Sequence, residues 1–405
     1  MTGGTSPSRN TGRLPSYLPP LSVAVPITIF SLAAIALPLA TGHTLALSTT
    51  QTTGWLLALY GIPGLLSLFL TVVYRLPLFV AWHTAVVAFL ASLAGHAQYS
   101  DLLGATLVGG LLVAALGALG LTHRVARLVP TSVVFAVVAA NVLPFVAGIF
   151  TALGNEPLLV GGTLVAYLLG RRVFGLKLPP VLPALILGLA LAAATGRFAP
   201  LPSGLSLPRP EATQPTFALP VLLAVVPVFV ALTALQSNLT AVVYLRAEGY
   251  APPMRAIDVA TGLGSAAAAF LGPAPICMGA LVTPLTAGAE AGERAVRPWS
   301  VYASGTAFIL IALGAGVAAE LPVVLPLPLL LAVAGLALVG VLAQALGEIT
   351  RGPLRLGPLF AFAVAASRLS LLGLGPLFWA LVFGTAVSLL LEGEALQDVR
   401  TRTTG

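Results

Sequence analysis

Long apolar runs, separated by short segments with Pro, Gly and charged residues, dominate the chain from residue 18 to residue 391. About 20 apolar residues are enough for a helix to cross the hydrocarbon core of a membrane. Fourteen runs can be distinguished, at 18–40, 53–73, 77–95, 101–121, 129–151, 158–174, 179–196, 216–243, 255–271, 275–289, 298–318, 322–346, 356–372 and 375–391. The pattern therefore predicts an all-α membrane protein with fourteen transmembrane spans.

The basic residues lie between these runs and favour the same count. When the N-terminus is placed in the cytoplasm, sixteen of the 19 Lys and Arg residues fall in cytoplasmic segments. Only Arg197, Arg209 and Arg368 fall on the other side. Cytoplasmic loops carry an excess of Lys and Arg, so both termini are predicted to lie in the cytoplasm. Residues 1–17 are predicted to be a flexible N-terminus, residues 18–391 one transmembrane domain, and residues 392–405 a cytoplasmic tail.

The third run, from Arg75 to Ala91, differs from its neighbours because a proline interrupts it near its start. Pro77 has no backbone N–H and disfavours helix before it, so residues 78–81 are expected to be extended. A half-helix should then begin at Trp82, His83 and Thr84. The first N–H groups of such a helix have no partner within it, which makes this end a suitable ligand site inside a membrane.

The chain also contains weak internal similarity at a nearly constant offset. Pro26 corresponds to Pro227 at an offset of 201 residues, and Pro77 to Pro275 at an offset of 198. A constant offset indicates two halves of seven spans each. Because seven is odd, the halves must have opposite orientations in the membrane, which is an inverted repeat.

The repeat predicts a second broken span at residues 272–288, GPAPICMGALVTPLTAG. Its prolines favour extended backbone, and a half-helix is expected to begin near residues 276–279 and to face the first half-helix. Two opposed helix N-termini favour an anion, by about 0.3–1 kcal/mol each and up to about 2 kcal/mol when partly buried. The substrate contacts predicted from the two broken spans are Trp82, His83, Thr84, Ile276, Cys277, Met278 and Gly279.

Composition excludes several classes of function. The chain is 58% hydrophobic and 8% charged, against about 25% charged residues in soluble domains. The net charge of +7 is spread singly between apolar runs, so no nucleic-acid partner is expected. The one cysteine, Cys277, excludes an internal disulfide. Metal-ligand spacings, P-loops and nucleophile elbows are missing, so no cofactor, no metal and no enzymatic activity are expected.

Polar residues inside apolar runs are few, and the eighth run contains the sequence TALQSNLT. At 100° per residue, Gln236 and Asn238 lie about 200° apart and cannot both face one ligand in a regular helix. Gln236 is predicted to face the site, while Asn238 stays a candidate. For both residues the alternative is interhelical hydrogen bonding.

His83 is the histidine next to a predicted half-helix end, and its ordinary titration range makes it the proton-coupling candidate. A packing role is the alternative, because a helix N-terminus disfavours the protonated ring. Asp258 lies in the first turn of the ninth run, where helix capping is the simpler interpretation. No buried acid pair is evident from the sequence.

Two segments resemble one known family. RLPLFVAWHTAVVAFLA, at 75–91, is similar to the R-x-P-x-x-x-A-W-x-T pattern of the benzoate/proton symporters, and NLTAVVYLRAEGYAPP, at 238–253, resembles their N-L-x-x-x-x-x-L-R-x-x-G-Y-x-P-P. More distantly, the arrangement looks like the fourteen-helix fold of nucleobase transporters and sulfate permeases. The resemblance implies a core of spans 1–4 (18–121) and 8–11 (216–318), and a gate of spans 5–7 (129–196) and 12–14 (322–391). This chain departs from the family pattern at His83 and Ala85, where the family usually has Ser and Pro.

The resulting hypothesis is a secondary transporter of the inner membrane, a symporter of protons with benzoate or a similar small organic anion. The substrate would lie between the half-helices of spans 3 and 10. The alternatives are a passive channel for anions or small solutes, and a transporter of the same fold for nucleobases or inorganic anions. A homodimer is possible by resemblance to this fold.

Overall fold

The structure is a computed structural model that describes residues 17–126, 128–174, 179–200, 211–367, 369, 371 and 375–396. The predicted flexible N-terminus and most of the predicted tail lie outside these residues. The helices are α1 (Leu18–Ala34), α2 (Ala36–Thr44), α3 (Thr49–Tyr74), α4 (Thr84–Ala91), α5 (Tyr99–Leu119), α6 (Thr122–Ala126), α7 (Thr131–Asn155), α8 (Pro157–Phe174), α9 (Val181–Ala194), α10 (Leu219–Val230), α11 (Leu239–Ala247), α12 (Met254–Ala268), α13 (Thr283–Ala287), α14 (Pro298–Leu313), α15 (Ala315–Val324), α16 (Leu327–Arg351), α17 (Leu356–Ala366) and α18 (Pro376–Leu391). A π-helix at Ala231–Asn238 joins α10 to α11, and the two strands are β1 (Val80–Trp82) and β2 (Ile276–Met278).

The class predicted from the sequence is confirmed, because the regular elements of the described residues are all helices apart from two strands of three residues. Among them, seven helical stretches are long and apolar enough to cross a membrane. The bent pair α14 and α15, whose axes differ by 61°, makes an eighth when counted as one span. The protein is therefore a multi-pass membrane protein, while the count of fourteen spans stays a prediction.

One predicted boundary is wrong. The gap placed at residues 319–321 lies inside α15, which continues to Val324 with Pro322 in its interior. The helix ends at Leu325, whose extended conformation is the one preferred by a residue that precedes proline. The next helix, α16, therefore begins at Leu327 and reaches Arg351.

Small residues allow a close helix crossing between α5 and α12. A Cβ atom added to Gly262 would lie 2.4 Å from the backbone nitrogen of Ala114 and 2.6 Å from the carbonyl oxygen of Gly110. Helices pack this closely in membranes where one or both carry glycine at the contact. The crossing holds α12 firmly beside α5 and fixes the position of the side chains that α12 directs at β2.

The outer surface of the long helices is apolar. On α3 the side chains of Leu65, Phe69 and Val72 are all at least half exposed, and on α18 Leu390 is 81% exposed. A soluble protein rarely exposes so much contiguous apolar surface. These faces are suited to lipid, in agreement with the membrane class.

Candidate functional site

The two predicted broken spans meet in a short antiparallel ribbon. Val80 pairs with Met278, Ala81 with Cys277, and Trp82 with Ile276. One further backbone hydrogen bond extends the ribbon at each end, from His83 N–H to the Pro275 carbonyl (2.9 Å) and from Gly279 N–H to the Phe79 carbonyl (2.8 Å). The two segments therefore contact each other directly through their backbones.

The half-helices leave this ribbon at opposite ends, because antiparallel strands run in opposite directions. The first, α4, begins at Thr84, and His83 is its N-cap. The second, α13, begins at Thr283 and has five residues. The prediction that it begins near 276–279 is wrong, since β2 occupies these positions and pairing with β1 satisfies their backbone groups. A helix of one turn has a small dipole, so the two ends are not equivalent.

Two serines support the ribbon in the same way from the helices that precede each broken span. The Ser67 hydroxyl on α3 accepts from Val80 N–H (2.8 Å) and donates to the Val80 carbonyl (3.1 Å). The Ser265 hydroxyl on α12 likewise accepts from Ile276 N–H (2.8 Å), while it donates to the Thr261 carbonyl (3.0 Å) and lies 3.4 Å from the Ile276 carbonyl. The two serines are 198 residues apart, the same offset as that of the two prolines Pro77 and Pro275.

His83 and Gln236, two of the predicted site residues, lie in direct contact. The imidazole Nε2 is 2.6 Å from the Gln236 Oε1. The other ring nitrogen, Nδ1, accepts from Val86 N–H at 3.4 Å and so caps α4. An accepting Nδ1 carries no proton, so this pair of contacts assigns the neutral ring with its proton on Nε2, donated to Gln236.

Several donors around this pair have no partner in the described part of the chain. The Gln236 amide uses its oxygen for His83, and its NH₂ group makes no protein hydrogen bond. The hydroxyl of Thr84 and the N–H groups of Thr84 and Ala85 at the start of α4 are likewise without a partner. Gln236, Thr84 and Gly279 also keep partial exposure. A cluster of donors at a helix N-terminus is suited to a carboxylate.

The sequence argument about Gln236 and Asn238 assumed a regular helix, and this assumption is wrong. The segment Ala231–Asn238 is a π-helix, whose wider turn changes the angle between successive side chains. Gln236 contacts His83, the Ser237 hydroxyl donates to the Met278 carbonyl (2.6 Å), and the Asn238 oxygen accepts from Met278 N–H (2.7 Å). Three consecutive side chains thus face the broken spans.

Asn238 is fully buried and uses both ends of its amide on the protein. Its nitrogen donates to Asp258 Oδ1 (2.8 Å) and to the hydroxyl of Thr261 (2.9 Å), while its oxygen holds Met278. These contacts correspond to the interhelical alternative. They place Asn238 behind β2, with no group left for a ligand.

Asp258 does not cap a helix, so that interpretation of the sequence is wrong. It is the fifth residue of α12, the helix has no side-chain cap at its N-terminus, and the carboxyl group is fully buried. Its Oδ2 accepts from the hydroxyl of Thr122 at 2.7 Å. The signal that could have found it is the polar stripe of Asp258, Thr261 and Ser265, spaced i, i+3 and i+7 on one helix face.

The remaining predicted residues of the ribbon are packed inside the protein. Ile276, Cys277 and Met278 are buried, and the Trp82 ring packs edge-on against Tyr60 of α3, with centroids 6.0 Å apart. Side chains alternate along a strand, so Ala81 and Cys277 lie on the ribbon face opposite to Trp82, Ile276 and Met278. These residues shape the ribbon, whereas the open polar groups belong to Thr84 and Gln236.

Asn141, which the sequence did not single out, joins α7 to the first half-helix. Its side-chain nitrogen donates to the carbonyl oxygen of Ala85 at 2.8 Å. Only 8% of its surface is exposed. Asn141 is therefore a polar contact between a helix of the predicted gate and the part of the predicted core that carries the open donors.

A separate cavity of about 420 Å³ lies among α1, α2, α9, α15 and α16. Apolar side chains line it, among them Leu32, Leu189 and Leu330. It offers a carboxylate no hydrogen-bond donor, and it does not include His83 or Gln236. The polar chemistry lies at the ribbon instead.

Comparison with known proteins agrees with this arrangement. The family model described as "Benzoate membrane transport protein" matches residues 16–390. The benzoate membrane transport protein of Acinetobacter baylyi is 27% identical over 359 residues, which cover 86% of this chain and 89% of the relative. The inner membrane protein YdcO of Escherichia coli is 28% identical over 340 residues, or 83% of this chain and 86% of the relative.

Two solved structures share the fold at low sequence identity. The transmembrane domain of the cyanobacterial bicarbonate transporter BicA has a TM-score of 0.54 and 18% identity, covering 91% of this chain and 97% of that domain. Murine Solute Carrier 26 family member A9, an anion transporter in the inward-facing state, has a TM-score of 0.55 and 14% identity, covering 91% of this chain and 68% of that chain. At this level of identity the likeness concerns the fold.

The paired broken spans, the polar groups where they meet and the multi-pass helical fold define the class of membrane transport proteins. The chain belongs to the benzoate membrane transport protein family, since the match extends over nearly its whole length. Its relatives carry names of membrane proteins and transport proteins, not of enzymes.

Proposed function

We propose that this protein is a proton-coupled secondary transporter of benzoate or a similar small aromatic carboxylate in the inner membrane. The observation that carries the proposal is the cluster of open donors around the His83–Gln236 contact at the start of α4. Hydrogen bonds to a charged group are worth about 1.5–3 kcal/mol each, so two or three of them suffice to hold a carboxylate in place of water.

The membrane topology that we propose is fourteen spans in a 7+7 inverted repeat with both termini in the cytoplasm. Support comes from Ser67 and Ser265, which bind the two broken spans in the same manner at the offset of the repeated prolines. Within the proposed core, α5 packs on α12 and α3 packs on α14. Within the proposed gate, α7 packs on α16 and α17 packs on α18. This packing supports the division into core and gate. A homodimer stays an expectation from the resemblance.

Uptake by reconstituted protein tests the substrate and the energy source together. Proteoliposomes with an inward proton gradient are expected to accumulate radiolabelled benzoate above the equilibrium concentration, and a protonophore should abolish the accumulation. Nucleobases and inorganic anions form the comparison panel. Benzoate flux without accumulation, insensitive to the protonophore, would indicate a channel. Accumulation of none of the compounds would refute the proposed substrate class.

Alternating access requires the contact between Asn141 and Ala85 to break and reform. Asn141→Ala is expected to change the KM and the maximal rate of benzoate uptake together, because losing one hydrogen bond of about 0.5–1.5 kcal/mol shifts a two-state equilibrium by about 2- to 12-fold. Initial rates over a range of benzoate concentrations measure the effect.

The matched control is Asn155→Ala, which removes the exposed asparagine at the end of the same helix. It should leave both kinetic parameters as in the wild type. If Asn141→Ala also behaves like the wild type, the contact between α7 and α4 has no part in the conformational cycle.

A further inference from the structure

The buried carboxyl group of Asp258 stands out because the ligand site does not use it. It is fully buried on α12, and no basic side chain of the described residues forms an ion pair with it. An ionisable residue inside a membrane protein is costly to keep and is typically part of an ion or proton pathway.

The neighbours of Asp258 are polar but uncharged. Thr122 from α6 donates to Oδ2 and Asn238 from the π-helix donates to Oδ1, while Gly117 of α5 packs against its Cβ. The guanidinium of Arg255, one turn earlier on α12, lies against Gly120 at the end of α5. The titratable or charged groups on the elements that surround it are Tyr60, Tyr74, Tyr99, Asp101, His123, Arg124, Arg255 and Cys277.

Asn238 connects this carboxyl group to the ligand site. Its oxygen is held by Met278 N–H, so the orientation of the amide is fixed and its nitrogen must point at Asp258. Met278 lies in β2, which pairs with β1 immediately before His83. Three consecutive hydrogen bonds therefore lead from Thr122 through Asp258 and Asn238 to Met278 in the ribbon.

The same geometry disfavours a metal cation at this position. A sodium ion would need the oxygens of Asp258 and Thr261 to converge on it, but the Asn238 NH₂ group lies between them and donates to both. Turning the amide would set two N–H donors, those of Asn238 and Met278, against each other. A proton needs no such rearrangement, because the Thr122 hydroxyl can rotate to accept from a protonated Asp258.

We propose that Asp258 carries the coupling proton and that Asn238 transmits its protonation state to the ligand site. This inference rests on the proposed function. Proton uptake forms one O–H bond on Asp258 and release breaks it. In the ionised state the Asn238–Asp258 hydrogen bond is charge-assisted and holds β2 firmly, and in the neutral state it is weaker. A second proton on the His83 ring would bind to Nδ1, and this nitrogen already accepts the hydrogen bond that caps α4.

Asp258→Asn tests the proposal with radiolabelled benzoate in proteoliposomes. Exchange of benzoate without a gradient should persist, while gradient-driven accumulation should fall by at least about fivefold, the lower end of typical coupling between two sites. The matched control is Asp101→Asn, which alters another aspartate that accepts from a threonine hydroxyl, that of Thr216. The control should accumulate benzoate like the wild type. Accumulation by Asp258→Asn at the wild-type level overturns the proposal.

A second variant covers the case in which Asp258→Asn does not fold. Thr122→Val keeps the carboxyl group but removes one donor, so it should displace the pH midpoint of benzoate accumulation, whereas Asp101→Asn should not. An unchanged midpoint overturns the proposal. His83→Gln should reduce exchange and accumulation together; a selective loss of accumulation in that variant assigns the proton to His83 instead.

Two outcomes separate this inference from the proposed function. Wild-type protein that accumulates no benzoate refutes the function itself, whatever the variants do. Wild-type accumulation that requires a sodium gradient and ignores a proton gradient keeps benzoate transport but overturns the role of Asp258 as proton carrier.

Discussion

Gln236→Ala is expected to weaken benzoate binding by about 10- to 100-fold, because hydrogen bonds to a charged group are worth about 1.5–3 kcal/mol. The variant loses the amide donors that face the site, together with the oxygen that orients the His83 ring at 2.6 Å. Gln236 is only partly buried, so water can replace its contact with His83 in the empty protein. Binding measured by calorimetry in detergent gives the affinity directly.

The melting temperature of the ligand-free variant separates this role from a packing role. We expect a change below about 3 °C, since the loss of one solvated hydrogen bond costs less than about 1 kcal/mol. Gln344→Ala, the same substitution in α16, is the control and should leave binding unchanged. Unaltered benzoate affinity combined with a large fall in the melting temperature would show that Gln236 only joins helices.

Gly262→Ala is expected to lower the melting temperature by at least about 3 °C, because inserting a methyl group into a packed contact costs about 1–3 kcal/mol or more. The added Cβ would lie 2.4 Å and 2.6 Å from backbone atoms of α5. Backbone cannot rotate away as a side chain can, so α5 and α12 must separate. The separation also displaces Asp258 and Ser265, and gradient-driven uptake should fall with stability.

Gly148→Ala is the control, because a Cβ at this position of α7 would meet no atom within 4 Å. Alanine is favoured over glycine in a helix by about 0.5–1 kcal/mol, so this variant should be as stable as the wild type or slightly more stable. Thermal denaturation followed by size-exclusion chromatography measures both variants. Equal melting temperatures for Gly262→Ala and the wild type would contradict the close crossing of α5 and α12.

Prediction of the fold from the sequence succeeded where the signal is local. Apolar length and composition identify a membrane helix without knowledge of its neighbours, so the class and most helix positions were accessible. The prolines of the two broken spans likewise indicated extended backbone, at residues 78–81 in the first span and before residue 276 in the second. The start of α13 was missed because pairing between β1 and β2, at positions about 200 residues apart, decides how far the extended backbone continues.

Part of the polar cluster could be found from the sequence for a related reason. The proposed contact residues His83 and Gln236 were singled out as polar groups in apolar runs, and the structure places them 2.6 Å apart. Asp258 was taken for a helix cap because a sequence shows the distance to a helix start but not which helices surround it. Asn141 carried no signal, since a single asparagine in an apolar run can serve any hydrogen bond.

The sequence by itself determined that this chain is a helical membrane protein with two proline-broken spans, because hydrophobic length and proline act locally on the backbone. Only the tertiary structure decided which polar groups have no protein hydrogen-bond partner and which are hydrogen-bonded within the protein. The π-helix turns Gln236 toward His83 and Asn238 toward Asp258, and the ribbon brings both to one place. Hydrogen-bond satisfaction inside a membrane depends on partners from distant segments, and those partners exist only in the folded chain.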